Sequence, residues 1–245
     1  MHRIFVGSES ITPESIIIPN NEQAHHIQNV LHSRKGDEIA VVDDKGNEYF
    51  TVIECFSSRG VELKVKSKKD SSSLKPGVSL TVACALPKNV KFDDIVDKLT
   101  QLGVERIIPL RTQRVVVKMD AIKEAARLER WKKIALSASC QSQRNKVPVI
   151  DPVSDLDEVL SCCADFDLKL IPVLIDQRKT IKEVLSAGKY SRIIILIGPE
   201  GDFTSQEVSL AKKEGFIPVT LGKLVLRVDT AAMATAGFVQ LYENI

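Results

Sequence analysis

The sequence predicts an α/β protein in two parts, a small N-terminal β-barrel and a larger α/β domain built on a mostly parallel sheet. Three observations carry this. The first ~70 residues alternate apolar and polar positions between turn signals, as half-buried strands do. Lys68–Gly77 (KKDSSSLKPG) is charged, serine-rich and ends in Pro-Gly, which marks a linker. Beyond it, continuous apolar strands interleave with helical stretches, the pattern of a sheet covered on both faces. The expected domains are residues 1–73 and 74–245.

In the first part, a helix is expected at Glu22–Leu31 behind Asn20 or Asn21 as N-cap. Glu38–Asp43 and Glu48–Phe56 flank Asp44-Lys45-Gly46-Asn47, a hairpin turn in which Gly and Asn tolerate positive φ. Val61–Ser67 follows a turn at Ser57-Ser58-Arg59-Gly60. In the second part, Val78–Leu86 reads as a strand and Val90–Leu102 as a helix stopped by Gly103. Arg106–Leu110 is the next strand, and Ala121–Gln143 a long helix holding the only tryptophan, Trp131. Strands at Leu168–Leu174, Arg192–Ile197 and Ile217–Leu221 then alternate with helices from Thr180, Thr204 and Thr230. Thr204 and Glu207 have capping-box spacing.

Composition bounds the function. The chain has 245 residues, 44% hydrophobic and 27% charged, which is ordinary for a folded globular protein. No apolar run approaches the ~20 residues of a membrane helix, and the start MHRIFVGSES lacks a signal-peptide pattern. A cytoplasmic protein without a membrane partner is expected. Five cysteines, none in a CxxC pair, read as free thiols rather than as disulfides or a zinc site. All four histidines (His2, His25, His26, His32) fall in the first 32 residues. The α/β part therefore has no histidine for a Ser-His-Asp or Cys-His arrangement. The spacing of the four fits no metal motif, so no metal is expected.

The net charge of +2 conceals an asymmetry. Residues 1–73 carry 9 Lys and Arg against 11 Asp and Glu, residues 74–150 carry 15 against 7, and residues 151–245 carry 10 against 14. A basic middle third is what a polyanion-binding face looks like in sequence, although a solvated, scattered surface has the same signature. Arg127, Arg130 and Lys133 recur at helical spacing on one face. They could meet phosphates or, with Glu124 and Glu129 nearby, form a salt-bridged helix surface. Gln141-Ser142-Gln143-Arg144-Asn145 is denser in hydrogen-bonding groups than a helix exit requires, enough to read a base edge or a phosphate.

Two loops near the carboxyl end hold the richest chemistry. In IIILIGPEGDFTSQE (Ile193–Glu207), a buried strand ends in two glycines flanking Glu200. Glycines there let backbone approach a ligand, and open α/β sheets bind ligands at that edge. A purely structural turn is the alternative. The stretch is neither a GxGxxG fingerprint nor a P-loop. In VTLGKLVLRVDT (Val219–Thr230), Gly222 closes a strand and Asp229 or Thr230 can cap the helix that follows. Arg227, set between apolar neighbours, reads as a buried guanidinium paired with Asp229, Glu200 or an anionic ligand; the alternative is an arginine reaching solvent.

IGPEG (Ile197–Gly201) followed by LGKLVLRVDT (Leu221–Thr230) resembles the cofactor-binding end of the SPOUT methyltransferases, whose C-terminal chain threads a loop to make a trefoil knot. Seven further segments occur in order along nearly the whole chain. They are MHRIFV (Met1–Val6), HHIQNVLHSRKGDEIAVVDDKG (His25–Gly46), LPK (Leu86–Lys88), LGV (Leu102–Val104), RVVVK (Arg114–Lys118), ERW (Glu129–Trp131) and QSQRNKVP (Gln141–Pro148). Together they resemble the RsmE family of 16S ribosomal RNA uridine N3-methyltransferases.

The resemblance implies a PUA-like β-barrel that helps hold rRNA, then a SPOUT-type trefoil-knotted α/β domain that forms a homodimer. The implied cofactor is S-adenosyl-L-methionine (SAM), bent among three loops. Its implied contacts are Ile171, Pro172, Val173 and Leu174; Ile197, Gly198, Pro199, Glu200 and Gly201; and Leu221, Gly222, Leu226, Arg227, Thr230 and Ala231. The implied partner is 16S rRNA or the small ribosomal subunit, met by Arg3, Lys88, Lys98, Arg114 and Arg144. Arg227 would stabilise charge developing on the uracil oxygens, with Glu200 and Asp229 orienting SAM or the base. The group that takes the N3 proton is left open.

The chain departs from the family pattern at four places. Asp202 stands where a third glycine is usual, and Lys223-Leu224 where Pro-Arg is usual. Val228-Asp229-Thr230-Ala231 replaces Thr-Glu-Thr-Ala, keeping a carboxylate with a shorter reach, and Gln101–Val104 replaces Glu-Leu-Gly-Val. Three other functions remain compatible with the residues alone. An RNA ribose 2′-O-methyltransferase would share the fold and cofactor. A non-catalytic RNA-binding or assembly factor would need no SAM. A dinucleotide oxidoreductase matches the fold class only.

Overall fold

The structure, a computed structural model, describes residues 2–71, 77–88, 91–114, 121–175 and 178–243. Residues 72–76 of the expected linker, Val90 at the expected helix start and residues 115–118 of the Arg114–Lys118 segment lie outside the described residues. The described chain divides into two compact units. One holds the residues up to 71 together with Ser139–Lys146, and the other holds the remainder.

The first unit is a curled sheet. Its elements are β1 (His2–Phe5), β2 (Ser15–Pro19), α1 (Glu22–His25), β3 (Glu38–Val42), β4 (Glu48–Ser57) and β5 (Gly60–Lys69). Asn21 is the N-cap of α1, its side chain accepting from the backbone N–H of Gln23 and Ala24, and the helix continues as a π-helical turn over His26–Val30. The strand order is β1-β3-β4-β5-β2, parallel between β1 and β3 and antiparallel elsewhere. Since β1 and β2 remain edges, the sheet is a PUA-like half-barrel. Register breaks in β4, after Phe50 and after Ile53, add the local twist that curls it. Ile16, Ile18, Ile39, Val41, Ile53 and Leu63 pack on Ile27, each burial contributing roughly 1.5–3 kcal/mol.

Two turns fix the register. After β3, Asp43 Oδ1 accepts from the N–H of Lys45 at 2.9 Å and of Asn47 at 2.8 Å, while Gly46 takes a φ of 82°. Gly60 has a φ of 128°, and a Cβ there would lie 1.9 Å from the Ile18 carbonyl oxygen, so only glycine allows β2 and β5 to meet.

Arg3 ties the returning segment Ser139–Lys146 to this unit. Its guanidinium donates to Glu48, to Asn145 Oδ1, and to the carbonyl oxygens of Gln143 at 2.7 Å and Arg144 at 3.0 Å. The Arg3 and Glu48 side chains are 10% and 8% exposed. Three of the acceptors in the Gln141–Asn145 stretch thus answer Arg3, and Gln143 adopts a φ of 58° to present them.

The second unit contains β6 (Ser79–Ala85), α2 (Phe92–Gln101), β7 (Arg106–Arg111), α3 (Ala121–Gln141), β8 (Val149–Ile150), β9 (Ser154–Asp155), α4 (Leu156–Ser161), β10 (Leu168–Pro172), β11 (Lys179–Thr180), α5 (Ile181–Leu185), β12 (Arg192–Ile197), α6 (Ser205–Lys213), β13 (Ile217–Thr220) and α7 (Val228–Glu243); the last residues of α3 cluster with the first unit. The strand order is β11-β13-β10-β12-β6-β7-β8, with β9 also on β7, and every pairing is parallel. Alternate side chains feed two cores. Ile193, Ile195 and Ile197 join the one built with α2, α5 and α7, and Ile194 and Leu196 join the one built with α4 and α6. Trp131 of α3 is buried against Phe92, ring centroids 4.8 Å apart, and its indole N–H donates to Asp93 Oδ1 at 3.1 Å.

Some boundaries differ from those the sequence suggests. Strands β10 and β13 stop at Pro172 and Thr220, where their residues turn into loops. Helix α7 begins at Val228, so Asp229 and Thr230 lie inside its first turn and are not its cap. β1, β2, β8, β9, β11 and α4 are not individually anticipated, the last three strands because two residues carry no periodicity. Helix α4 did have a local signal: Glu158 Oε2 accepts from the Asp155 N–H at 2.9 Å, a capping contact readable in the Asp155-to-Glu158 spacing.

Two outcomes follow. Arg3→Ala should destabilise the first unit by about 3–5 kcal/mol, because Glu48 is left buried and unpaired; amide exchange of β3, β4 and β5 in rising urea checks this. Burial raises the Asp43 carboxyl, but hydrogen bonds from the Asn47 side chain, the Asn47 and Lys45 backbone and Tyr49 outweigh it and hold it below its ordinary 3.8. Its stabilisation is complete above 3.8 and disappears as pH falls through the lower folded value. Asp43→Asn should therefore cost about 1–2 kcal/mol at pH 7 and flatten the acid limb of the stability–pH curve; an unchanged limb contradicts the assignment.

Candidate functional site

Because β10 lies between β13 and β12, their three carboxyl ends sit side by side and discharge their loops into one place. The result is a cleft enclosing about 610 Å³ with its open solvent included. One wall is Pro172, Val173 and Leu174, with Arg178, whose guanidinium donates to the Val173 carbonyl oxygen at 3.0 Å. The second is Ile197, Gly198, Pro199, Glu200 and Asp202. The third runs from Thr220 through Leu221, Gly222, Leu224, Val225 and Leu226, and Val228 and Ala231 of α7 complete the lining. The third wall turns sharply at Gly222, φ 114°, whose N–H donates to Thr220 Oγ1 at 3.2 Å.

Most of the cofactor set implied by the resemblance meets here: Pro172, Val173, Leu174, Ile197, Gly198, Pro199, Glu200, Leu221, Gly222, Leu226 and Ala231 all line the cleft. Four do not. Ile171 points into the core beneath the wall. Gly201 lies just outside, its carbonyl oxygen accepting from Arg114 Nη1. Thr230 and Arg227 are exposed at the start of α7. The buried reading of Arg227 is thereby corrected. Its flanking residues, half-buried Leu226 and buried Val228, turn inward while the Arg227 side chain remains in solvent at the helix start.

The two carboxylates occupy different settings. Glu200 Oε1 accepts from the Lys88 backbone N–H at 2.7 Å, which joins the loop after β6 to the second wall. Asp229 is half-buried, and its Oδ1 is a buried acceptor with no hydrogen-bond partner. Cys84, fully buried at the end of β6, senses both: burial first, then the charges of Asp229 and Glu200, push its thiol far above the usual range. Asp202, Arg178, Thr220, Leu224, Val225 and Val228 line the cleft without having been singled out as ligand contacts.

The residues assigned to RNA are dispersed over both units. Arg3 and Arg144 belong to the first, where Arg3 is engaged as described and the Arg144 N–H bonds the Ser139 carbonyl oxygen at 3.0 Å. In the second, Lys88 is exposed, Lys98 pairs with Asp97 at 2.8 Å, and Arg114 also reaches the Asp202 carbonyl oxygen at 3.4 Å. Much of the basic middle third is ion-paired: Arg106 with Asp151, Arg111 with Glu124 and Asp155, Arg130 with Asp93, and Lys132 with Glu129. Among the described residues, no three His, Cys, Asp or Glu side chains group to hold a metal ion, and no helix is long and apolar enough to cross a membrane.

Comparison with known proteins assigns the class. A family model described as an RNA methyltransferase domain matches residues 74–240, and one described as an RNA methyltransferase PUA domain matches residues 18–66. Ribosomal RNA small subunit methyltransferase E of Bacillus subtilis is 32% identical over 217 residues, 86% of this chain and 84% of the relative. The chain belongs to the ribosomal RNA small subunit methyltransferase E family. A structure of that enzyme from Neisseria gonorrhoeae, bound to S-adenosyl methionine, is 28% identical with a TM-score of 0.86, covering 99% of this chain and 98% of that one. A Legionella pneumophila methyltransferase in complex with bound SAM matches with the same figures.

The setting of Cys84 predicts its chemistry. At pH 8 a thiol-specific disulfide reagent should label exposed Cys162 and leave Cys84 untouched until the protein is unfolded; mass-spectrometric detection of Cys84 labelling in the folded protein would contradict the burial and charge described.

Proposed function

We propose that this chain transfers the methyl group of SAM to N3 of a uridine in 16S rRNA of the small ribosomal subunit. The observation that carries it is the convergence of three strand-end loops on one cleft, with an unpartnered buried carboxylate oxygen, Asp229 Oδ1, in the helix turn that completes the lining. The residues fit a compact, cationic nucleoside. Val173, Leu221 and Leu226 offer apolar surface, and the glycine-bearing second and third walls offer backbone polar groups. Asp229 is not itself part of the lining, and its buried Oδ1, in the same helix turn as Val228 and Ala231, has no donor. Relatives with this fold bind SAM.

SAM, when bound, supplies a methyl group already activated on a sulfonium, so the protein must mainly align donor and acceptor. The three walls would hold the cofactor through Pro172–Leu174, Gly198–Glu200 and Leu221–Leu226, with Ala231 beside them. Arg227, exposed at the start of α7, would meet a base presented from solvent. Its guanidinium would stabilise negative charge on the uracil oxygens as the N3 proton passes to solvent, the S–CH3 bond breaks to leave S-adenosylhomocysteine and the N–CH3 bond forms. Glu200 and Asp229 would orient cofactor or base. The target must be single-stranded or flipped out for its N3 edge to be reached. Arg144, Lys88, Lys98 and Arg114 would contact phosphates, while Arg3 acts through the fold of its own unit.

The trefoil threading, the homodimer and a cytoplasmic setting belong to the same proposal. Phe238 and Leu241 of α7, 41% and 70% exposed, are the apolar surface a second copy would cover. Incubating labelled SAM with small subunits that lack the modification, then analysing nucleosides by mass spectrometry, should give N3-methyluridine. A ribose 2′-O-methyl nucleoside, or no transfer, would overturn the assignment. In single turnover, Arg227→Ala should slow transfer about 10²-fold, and a near-wild-type rate would remove Arg227 from the chemistry.

A further inference from the structure

One residue in the cleft adopts a backbone conformation that its side chain must justify. Asp202 has a φ of 59°, in the left-handed region that L-residues other than Asn and Asp seldom visit. The chain is brought there by a tight turn in which the Asp202 N–H donates to the Pro199 carbonyl oxygen at 2.9 Å. A glycine would take this conformation without strain. Asp202 instead projects a carboxylate across the cleft's edge. Oδ1 accepts from the Phe203 N–H at 2.8 Å, and Oδ2 accepts from the Leu174 N–H at 2.9 Å. The second bond spans two walls, since Leu174 lies after β10 and Asp202 after β12.

The bond is firmly supported. Phe203, next in sequence, is buried in the core beneath, which anchors the carboxylate's own loop. Behind it, Arg114 donates to the carbonyl oxygens of Gly201 and Asp202. On the other side, Leu174 is 57% exposed, and Arg178 bonds the carbonyl oxygen of its neighbour Val173. The carboxylate therefore runs from an anchored wall to an exposed one. Room for it comes from Gly198, where a Cβ would lie 3.3 Å from Asp202 Oδ1 and 3.0 Å from the Phe203 ring.

We propose that Asp202 is a positioning residue that fixes the Leu174 wall against the Gly198 wall and so sets the affinity of the cleft for its nucleoside cofactor. A pocket with a wandering wall must be ordered when ligand binds, and that cost is subtracted from affinity. With the Leu174 N–H already engaged, the wall is ordered beforehand. The role rests on the SAM assignment of the cleft, and it concerns wall geometry, not attraction of the carboxylate for a sulfonium.

Calorimetric titration of the full chain with SAM and with S-adenosylhomocysteine, which lacks the methyl group and the sulfonium charge, tests this together with amide exchange at Leu174. Asp202→Gly, which relieves the positive φ, should leave the melting temperature unlowered. It should weaken both ligands alike, on the order of tenfold, and speed Leu174 exchange by a similar factor while β10 and β12 keep their protection. Asp202→Asn retains one acceptor oxygen and tolerance of positive φ, so it should fall between Asp202→Gly and wild type. Wild-type affinity in Asp202→Gly, unchanged Leu174 exchange, a lowered melting temperature, or Asp202→Asn binding no better than Asp202→Gly would each overturn the role. Weakening of SAM alone would assign Asp202 to charge and overturn it as well. Failure of the wild type to bind SAM would instead overturn the cofactor assignment, with Leu174 exchange still deciding whether the bond holds the wall.

Discussion

The site exists because β13, β10 and β12 are parallel neighbours. Parallel strands present all their carboxyl ends at one edge, and here three adjacent ones stop at Thr220, Pro172 and Ile197 and turn away from the sheet together. Were any of the three antiparallel, its loop would leave from the opposite edge and one wall of the cleft would be missing. What fixes their register is the double burial of the sheet. Ile193 to Ile197 alternate between two hydrophobic cores, so β12 cannot slip by one residue without exchanging its whole apolar set between faces that are packed differently.

Chemistry is then laid on that frame by short-range contacts. The capping of α6, with the Glu207 N–H on Thr204 Oγ1 at 3.2 Å and the Thr204 N–H on Glu207 Oε2 at 2.7 Å, fixes where the second wall ends. Glu207 also accepts from the Gln113 N–H at 2.8 Å, so the same buried carboxylate secures the loop after β7. Glu200 reaches Lys88 and Arg114 reaches Gly201, which braces the second wall from two further strand ends. By contrast the third wall, with Leu224 and Val225 open to solvent, is the part of the cleft least covered by the chain itself.

The sequence showed the frame well because the frame is periodic and locally punctuated. Asn21, Gly46, Gly60, Gly103 and Thr204 all mark real boundaries, since each acts through its own neighbours in the chain. Two of the three loops at the cleft are likewise legible at strand ends, from the IGPEG and LGKLVLRVDT stretches, whereas Ile171–Leu174 reads as the end of a strand and is indicated as a loop only by the family resemblance. Side-chain environment was harder to read. Apolar neighbours suggest a buried Arg227, yet Val228 is buried and Leu226 half-buried while Arg227 is exposed, so burial of flanking residues does not carry over to the residue between them. Arg3, expected at the RNA, also binds Glu48 and the Gln143–Asn145 stretch some 140 residues along the chain, a pairing that no local pattern announces. Asp202 read only as a departure from a glycine until its φ and its bond to Leu174 were both visible.

The most direct measurement of the central claim is a crystal of this protein grown with S-adenosylhomocysteine. Density for the nucleoside is expected among Pro172–Leu174, Gly198–Glu200 and Leu221–Leu226, with a ligand donor within hydrogen-bond reach of Asp229 Oδ1. Density elsewhere on the molecule, or a cleft shut by Leu224 and Val225 in the presence of saturating ligand, would contradict it.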